Sequence, residues 1–180
     1  NSGDTYRFGA TSTTERAFGG LLSGNLVPTI GVQFQNAMGG TITSLAVQYN
    51  CEQWRLGATG RTDRLDFQYS TDATSLTTGT WTDVNTLDCS SFITTGTTGA
   101  LDGNTNRSMV SATVSGLTIT SNAVFWLRWM DFNASGADDG LSVDDFSVTP
   151  AITVVDLPPT VTSTTPATGA SGVAFNANID

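Results

Sequence analysis

The residues best suited to chemistry lie in one acidic stretch, DFNASGADDGLSVDDFSVTP, at residues 131–150. This stretch holds five aspartates in a chain in which charged residues make up only 13%. Such a cluster fits three kinds of structure: a site for a hard cation, a pair of carboxylates for acid–base catalysis, or a solvated acidic turn. The spacing of the residues and the segments that flank them bear on the choice.

The start of the stretch has the spacing of a calcium-binding loop. Asp131, Asn133 and Ser135 alternate and Gly136 follows, so that alternate oxygens could wrap an ion. An EF-hand would also need a bidentate Glu at loop position 12, where this chain has Ser142, and its flanks predict strands. We therefore expect a structural calcium ion in a β-context, with a solvated turn as the alternative. The expected ligands in this stretch are Asp131, Asn133, Asp138, Asp139, Asp144 and Asp145.

Catalysis finds less support in the residue types. The chain has no His, so it lacks the Ser–His and Cys–His pairs of nucleophilic enzymes. Two opposed carboxylates would suffice for glycoside hydrolysis, and residue type alone does not exclude that chemistry. With no further sign of an active site, we predict that the chain is not an enzyme.

The elements that would position these residues are predicted to be strands. Alternating apolar residues recur in TIGVQFQN, TITSLAVQYN, RLDFQYS, SATVSGLTI, AVFWLRWMDF and GLSVDDFSV, with Gly-rich turns between them. This pattern predicts an all-β fold, an antiparallel jelly-roll β-sandwich with an extended C-terminal tail. The expected divisions are a sandwich module at 4–150, a Pro-containing linker at 151–159, and an incomplete domain or donated strands at 160–180.

Composition excludes some partners and suggests a compartment. The formal net charge is −9 and all seven basic residues are Arg, which argues against nucleic-acid binding. No apolar run approaches the roughly 18 residues of a membrane span, so we expect no membrane insertion. Cys51 and Cys89 are the two cysteines. Their wide spacing and the lack of other soft ligands favour a structural disulfide over a metal pair, with two free thiols as the alternative.

The four tryptophans are candidates for stacking on sugar rings, although each is more easily explained as a core residue. Trp81 follows a Gly turn and is the best candidate for an exposed platform, with Trp54 as the second. Trp126 and Trp129 fall on opposite faces of one predicted strand, so at least one of them should point into the core.

Three long segments also carry a family likeness: TYRFGATSTTERAFGGL, EQWRLGATGRTDRLDFQYSTDATSL and FWLRWMDFNASGADDGLSVDDFSVTP. Together they resemble, over about residues 4–150, a β-sandwich module of secreted and surface-anchored multidomain bacterial proteins, some of which also carry extracellular nuclease or phosphoesterase domains. DDGLSVDDFSV looks like the last strand of concanavalin-like and carbohydrate-binding jelly rolls. That resemblance implies a structural calcium ion held by Asp144 and Glu15. PPTVTSTTPATGASGVAFNANI resembles the start of a bacterial immunoglobulin-like domain.

Three functions are expected from these observations. The first is a non-catalytic, calcium-stabilised module of an extracellular or cell-surface protein that binds glycan or matrix. The second is a structural subunit of an extracellular fibre, in which copies add strands head-to-tail through the C-terminal tail. The third is an accessory domain of a secreted hydrolase such as a nuclease.

Overall fold

The computed structural model describes residues 3–24 and 26–154, and six single residues beyond them (160, 162, 163, 169, 171 and 172). The described residues form strands and one short 3₁₀ helix at Asn85–Leu87. The strands are β1 (Asp4–Phe8), β2 (Ala17–Leu21), β3 (Thr29–Gln35), β4 (Thr41–Leu56), β5 (Arg64–Ser70), β6 (Thr82–Asp83), β7 (Cys89–Ser90), β8 (Gly99–Ala100), β9 (Arg107–Ile119), β10 (Val124–Asp131) and β11 (Gly140–Thr153). The all-β prediction is confirmed.

These strands make two antiparallel sheets. The larger sheet runs β1-β2-β11-β4, and both β8 and β9 pair with the far side of β4. The smaller sheet runs β3-β10-β5, and β6 and β7 both pair with β5. Residues from both sheets share one buried apolar cluster, so the two layers form the predicted β-sandwich.

The core follows from the alternation in the sequence. Leu45, Val47 and Tyr49 of β4 are each only 1% exposed, as the period-2 pattern predicts. Trp129 is buried at the centre, where its ring meets Tyr49 edge-on at a centroid distance of 5.3 Å. Trp126, on the other face of β10, is half-buried, which confirms that the two tryptophans of this strand divide between the faces.

The disulfide prediction is also confirmed. Cys51 and Cys89 are bonded, with their Cα atoms 5.2 Å apart. The bond joins β4 of the larger sheet to β7 of the smaller sheet, and both residues are buried. Because the cysteines are 38 residues apart, loop closure in the unfolded chain accounts for about 4 kcal/mol of stabilisation.

The closing strand β11 continues to Thr153, three residues past the expected end of the sandwich at 150. The predicted linker at 151–159 and the predicted strands at 160–180 lie largely outside the described residues. Among the residues that are described, no helix is long and apolar enough to cross a membrane.

Candidate functional site

Strands β4 and β11 place two carboxylates on the outer face of the larger sheet, the face away from the smaller sheet. Cys51 and Val143 are register partners and both belong to the core. Because side chains alternate along a strand, the neighbours Glu52, Ser142 and Asp144 point to the outer face. Glu52 lies directly opposite Ser142 and diagonal to Asp144, at the reach expected for cross-strand pairs.

The loop between β1 and β2 brings a third carboxylate to this place. One carboxylate oxygen each of Glu15, Glu52 and Asp144 lies within 4.8 Å of the other two. Glu52 is fully buried, and Glu15 and Asp144 are half-buried. We call this group the outer carboxylate trio. Within the described part of the chain, no other set of three potential metal-ligating side chains approaches so closely.

Three carboxylate oxygens of the trio and one nearby hydroxyl lack hydrogen-bond partners in the described part of the chain. Both carboxylate oxygens of Glu15, Oε1 of Glu52 and Oγ of Ser142 are buried without a hydrogen-bond partner among the described residues. Oε2 of Glu52 accepts a hydrogen bond from Trp54 Nε1 at 2.9 Å. Burial raises the pKa of Glu52, the Trp54 hydrogen bond lowers it, and the nearby Asp144 and Glu15 raise it further. A hard cation would satisfy these oxygens and offset the repulsion.

A backbone irregularity lies directly beside Asp144. The register of β11 on β4 shifts between Asp144 and Ser147, which face Asn50 and Gln48. Two residues of β11 therefore oppose one residue of β4, which is a β-bulge. Asp145, in the bulge, has φ of 49°, a left-handed conformation that Asp tolerates better than most residues. The bulge separates Asp144, in the trio, from Asp145, which is exposed and accepts a hydrogen bond from Asn50 Nδ2 at 2.8 Å.

The structure thus brings together Glu15 and Asp144, the two residues that the family resemblance implied. Glu52 and Ser142 were missed as neighbours of these two. The sequence did contain a signal for Glu52. It follows Cys51 in a strongly alternating strand, so a core position for Cys51 places Glu52 on the outer face of the sheet. Its partners, however, come from segments 37 and 92 residues away along the chain (52 − 15 and 144 − 52), so spacing alone could not pair them.

Three other predicted ligands lie in a different cluster, at the end of β10 and in the loop that follows it. Asp131, Asp138 and Asp139 are buried there together with Asp63 and the Arg61 side chain. Arg61 nitrogens lie 3.2 Å from Asp63 Oδ2 and 3.7 Å from Asp139 Oδ1. We call this group the inner aspartate cluster. Asp63 and Arg61 come from a segment that the sequence predicted only as a turn.

Most carboxylates of the inner aspartate cluster already have donors. Asp139 Oδ1 accepts from Gly57 N at 2.6 Å, and Asp63 Oδ2 accepts from Asp139 N at 2.7 Å. Asp138 Oδ1 accepts from Ala134 N at 3.0 Å. The two bonds of Asp139 tie the β4–β5 loop to the β10–β11 loop. Calcium binding by these residues stays a prediction, and the hydrogen bonds supply a structural role without an ion.

Asp131 is only partly satisfied, with a backbone hydrogen bond from Leu22 to its carboxyl group. Its side chain is only 3% exposed, and its Oδ2 has no hydrogen-bond partner among the described residues. Burial raises the pKa of Asp131 to about 8, and the nearby carboxylates of Asp63 and Asp138 contribute to the rise. Burial therefore favours the protonated form of this carboxyl group. Asn133, the remaining predicted ligand, is exposed.

The two predicted stacking residues have different surroundings. Trp81 is half-buried, with the Arg128 guanidinium 3.8 Å from its ring centroid and its Nε1 donating to the Thr78 carbonyl at 2.8 Å. Trp54 is only 7% exposed and stacks on Phe8, with ring centroids 5.9 Å apart. Arg128 thus lies over the ring of Trp81, and Trp54 is part of a packed aromatic group.

A cavity of about 730 Å³ opens beside Trp54 on the outer face of the larger sheet. Its walls come from β1, from the end of β4 and from the segment around β8. This volume is within the usual range for small-molecule sites, about 300–1,000 Å³. We call it the β1–β8 groove. The hydrogen bond from Trp54 to Glu52 connects it to the outer carboxylate trio.

Comparison with known proteins finds no matching family model, no matching curated protein and no matching solved structure.

Proposed function

We propose that this chain is a non-catalytic, calcium-stabilised module of an extracellular or cell-surface protein that binds glycan or matrix. The observation that supports it is the outer carboxylate trio, in which buried oxygens of Glu15 and Glu52 beside Asp144 have no hydrogen-bond partner among the described residues. Two unit charges 4.8 Å apart repel by about 3 kcal/mol at an effective dielectric constant of roughly 20. A bound divalent cation replaces this repulsion with attraction.

The donor set favours a hard cation such as calcium over zinc. All the available ligand atoms are oxygens, since the chain has no His and both cysteines are in the disulfide. Oxygen donors suit calcium, whereas zinc favours nitrogen and sulfur. The trio and Ser142 Oγ would supply part of the six to eight oxygens that calcium takes, and water would supply others.

The disulfide supports the extracellular assignment, because such bonds persist in oxidising compartments. The jelly-roll connectivity and the likeness to bacterial surface modules belong to the same proposal. They agree with two antiparallel sheets in which the closing strand β11 lies at the centre of the larger sheet.

Thermal unfolding with calcium or with a chelator tests the proposal. Calcium at about 100 times its dissociation constant should add about 2.7 kcal/mol of stability, seen as a higher melting temperature. Asp144→Asn should remove most of this shift. Asp145→Asn is the matched control, because Asp145 is the adjacent exposed residue beyond the trio, and it should keep the shift. An identical melting temperature of the wild type in calcium and in chelator would contradict the proposal.

A second candidate function, a fibre subunit, is favoured by strand β9. This 13-residue strand pairs with β4 alone among the described strands, so its other edge is open. Arg107 is its one charged residue, and Met109 is 66% exposed. Long edge strands with few charges are sites for strand addition. Fibres or large oligomers in electron micrographs of the full chain, lost on truncation after residue 154, would support this function, and monomers at high concentration would overturn it.

A further inference from the structure

The β1–β8 groove has an aromatic wall. Tyr6 and Phe8 lie two residues apart on β1, so both rings point to the outer face. Their ring centroids are 5.4 Å apart, and Phe8 stacks on Trp54 with only 9° between the ring planes. A row of three rings therefore lines one side of the cavity. Tyr6 and Phe8 are half-buried, so both keep some exposed surface.

Residues 98–102 form another part of the lining. Thr98 and Asp102 supply a hydroxyl and a carboxylate there, Gly99 exposes backbone, and Ala100 and Leu101 are apolar. A Cβ added at Gly99 would meet no atom within 4 Å, so the space beside it is open. A groove that combines aromatic rings with hydroxyl, carboxylate and backbone groups suits a sugar ring, which has C–H bonds on its faces and hydroxyls at its edge.

Trp54 holds the aromatic row in place. Gly103 packs on the Trp54 ring so closely that a Cβ there would lie 2.2 Å from Cε2. On another side the indole Nε1 donates to Glu52 Oε2. Glu52 belongs to the outer carboxylate trio. A cation that holds the Glu52 carboxylate in one position would therefore also hold the Trp54 ring, through this hydrogen bond. Trp54 in turn supports the stacked ring of Phe8.

We propose that the β1–β8 groove binds a neutral saccharide, and that a cation in the outer carboxylate trio strengthens this binding through the Glu52–Trp54 hydrogen bond. A pyranose ring stacks on Tyr6 and Phe8, and its hydroxyls face Asp102 and the backbone of residues 98–101. Arg7, Arg55 and Asp102 all line the groove, and Arg55 already donates a hydrogen bond to the Asp138 carbonyl, so the lining has no strong charge of one sign. We take the sugar as neutral because the net charge of −9 then disfavours acidic chains. This inference rests on the proposed cation site and names the surface that the proposed glycan-binding module would use.

Native gel electrophoresis through soluble polysaccharides tests the inference. With calcium in the gel, the wild type should be retarded by at least one of three neutral polymers: hydroxyethyl cellulose, laminarin or galactomannan. Polygalacturonate should not retard it. Retardation by none of the neutral polymers, or equal retardation by polygalacturonate, would overturn the assignment of a neutral saccharide.

Matched variants locate the binding surface. Phe8→Ala should weaken binding about tenfold, since one stacking partner is lost. Phe18→Ala is the control: Phe18 is 54% exposed on β2 and pairs with Arg7, so it points to the opposite face from Phe8, and binding should be unchanged. Equal losses in the two variants would place the sugar elsewhere. Far-ultraviolet circular dichroism and the melting temperature check that both variants fold.

Trp54→Phe separates the two parts of the inference. It keeps a ring but removes the Nε1–H that Glu52 accepts. Wild-type retardation should fall about tenfold when calcium is replaced by a chelator, whereas Trp54→Phe should be weak in both conditions. Equal wild-type binding with and without calcium would refute the coupling. A calcium-dependent melting temperature without sugar binding would refute the groove assignment and leave the cation site standing.

Discussion

The outer carboxylate trio and the inner aspartate cluster contain the same chemistry but differ in their donors. In the trio, buried oxygens of Glu15 and Glu52 have no hydrogen-bond partner among the described residues. In the inner aspartate cluster, Asp63, Asp138 and Asp139 accept backbone hydrogen bonds, and Arg61 lies beside them. A cluster of acidic residues therefore indicates a cation site only where its buried oxygens have no other hydrogen-bond donors. Substitutions that change the donors or the charge in one of the two groups, and not in the other, test this difference.

The largest expected effect is the pH dependence that Asp131 imposes. Its pKa in the folded chain, about 8, is above the value of about 3.9 expected in the unfolded chain. Between these pH values the folded state therefore binds more protons than the unfolded state. The part of the stability that depends on Asp131 is full below about pH 4 and falls as the pH rises toward 8. Between pH 4 and pH 8 the loss should be about 5 kcal/mol. Urea unfolding of Asp131→Asn across this range should show a flatter profile than the wild type.

If the wild type and Asp131→Asn lose stability in parallel from pH 4 to 8, Asp131 is not the group that titrates. The neighbouring carboxylates Asp63 and Asp138 would then be the candidates, because burial also raises the pKa of each.

Arg61→Ala should produce the next largest loss. This change removes the cation beside Asp63 and Asp139 and the hydrogen bond to the Ala137 carbonyl. Breaking a buried ion pair from one side leaves an uncompensated charge and costs about 3 kcal/mol. Denaturant unfolding measures the loss. Arg7→Ala, at an exposed Arg on β1, should stay within about 0.5 kcal/mol of the wild type.

Glu15→Gln should increase the stability of the folded chain when calcium is absent, unlike Arg61→Ala. Removing one of three close carboxylates relieves repulsion, so the variant should be about 1 kcal/mol more stable than the wild type in chelator. In calcium it should be less stable than the wild type, because a ligand is lost. This reversal of sign, measured by thermal unfolding in the two buffers, separates a cation site from a cluster that is merely acidic. A loss of stability in both buffers would argue for a structural role of Glu15 alone.

Asp145→Asn should have the smallest effect. Asp145 is exposed, and Asn also tolerates the left-handed φ of 49° in the bulge. We expect a change in stability within about 0.5 kcal/mol, in calcium and in chelator. A larger, calcium-dependent change would extend the trio to both aspartates beside the bulge.

Much of the fold could be predicted because the strands alternate clearly. Ile30, Leu45 and Phe67 fall on the core face as their spacing indicates, and the disulfide follows from two well-separated cysteines. The division of the acidic stretch could not be predicted in the same way. Its residues lie close in sequence, but the loop at 132–139 and the bulge after Asp144 direct them to different parts of the sandwich.

The partners of some site residues are set by tertiary contacts that local sequence spacing does not predict. Glu52 and Arg61 each belong to a site through partners that lie far away along the chain. Arg61 lies in a segment whose sequence predicts only a turn, and nothing in that segment indicates that Asp139 would lie beside it. The alternation of Asp131, Asn133 and Ser135 before Gly136 suggested one calcium loop, whereas Asp139 holds two loops together through its hydrogen bonds with Gly57 and Asp63.

A crystal structure from crystals grown in calcium tests the central claim most directly. We predict one ion bounded by Glu15, Glu52 and Asp144, with carboxylate oxygens at about 2.3–2.6 Å, and a side-chain arrangement in the inner aspartate cluster that needs no ion. An ion held instead by Asp131, Asp138 and Asp139, with only water between Glu15, Glu52 and Asp144, would contradict the claim.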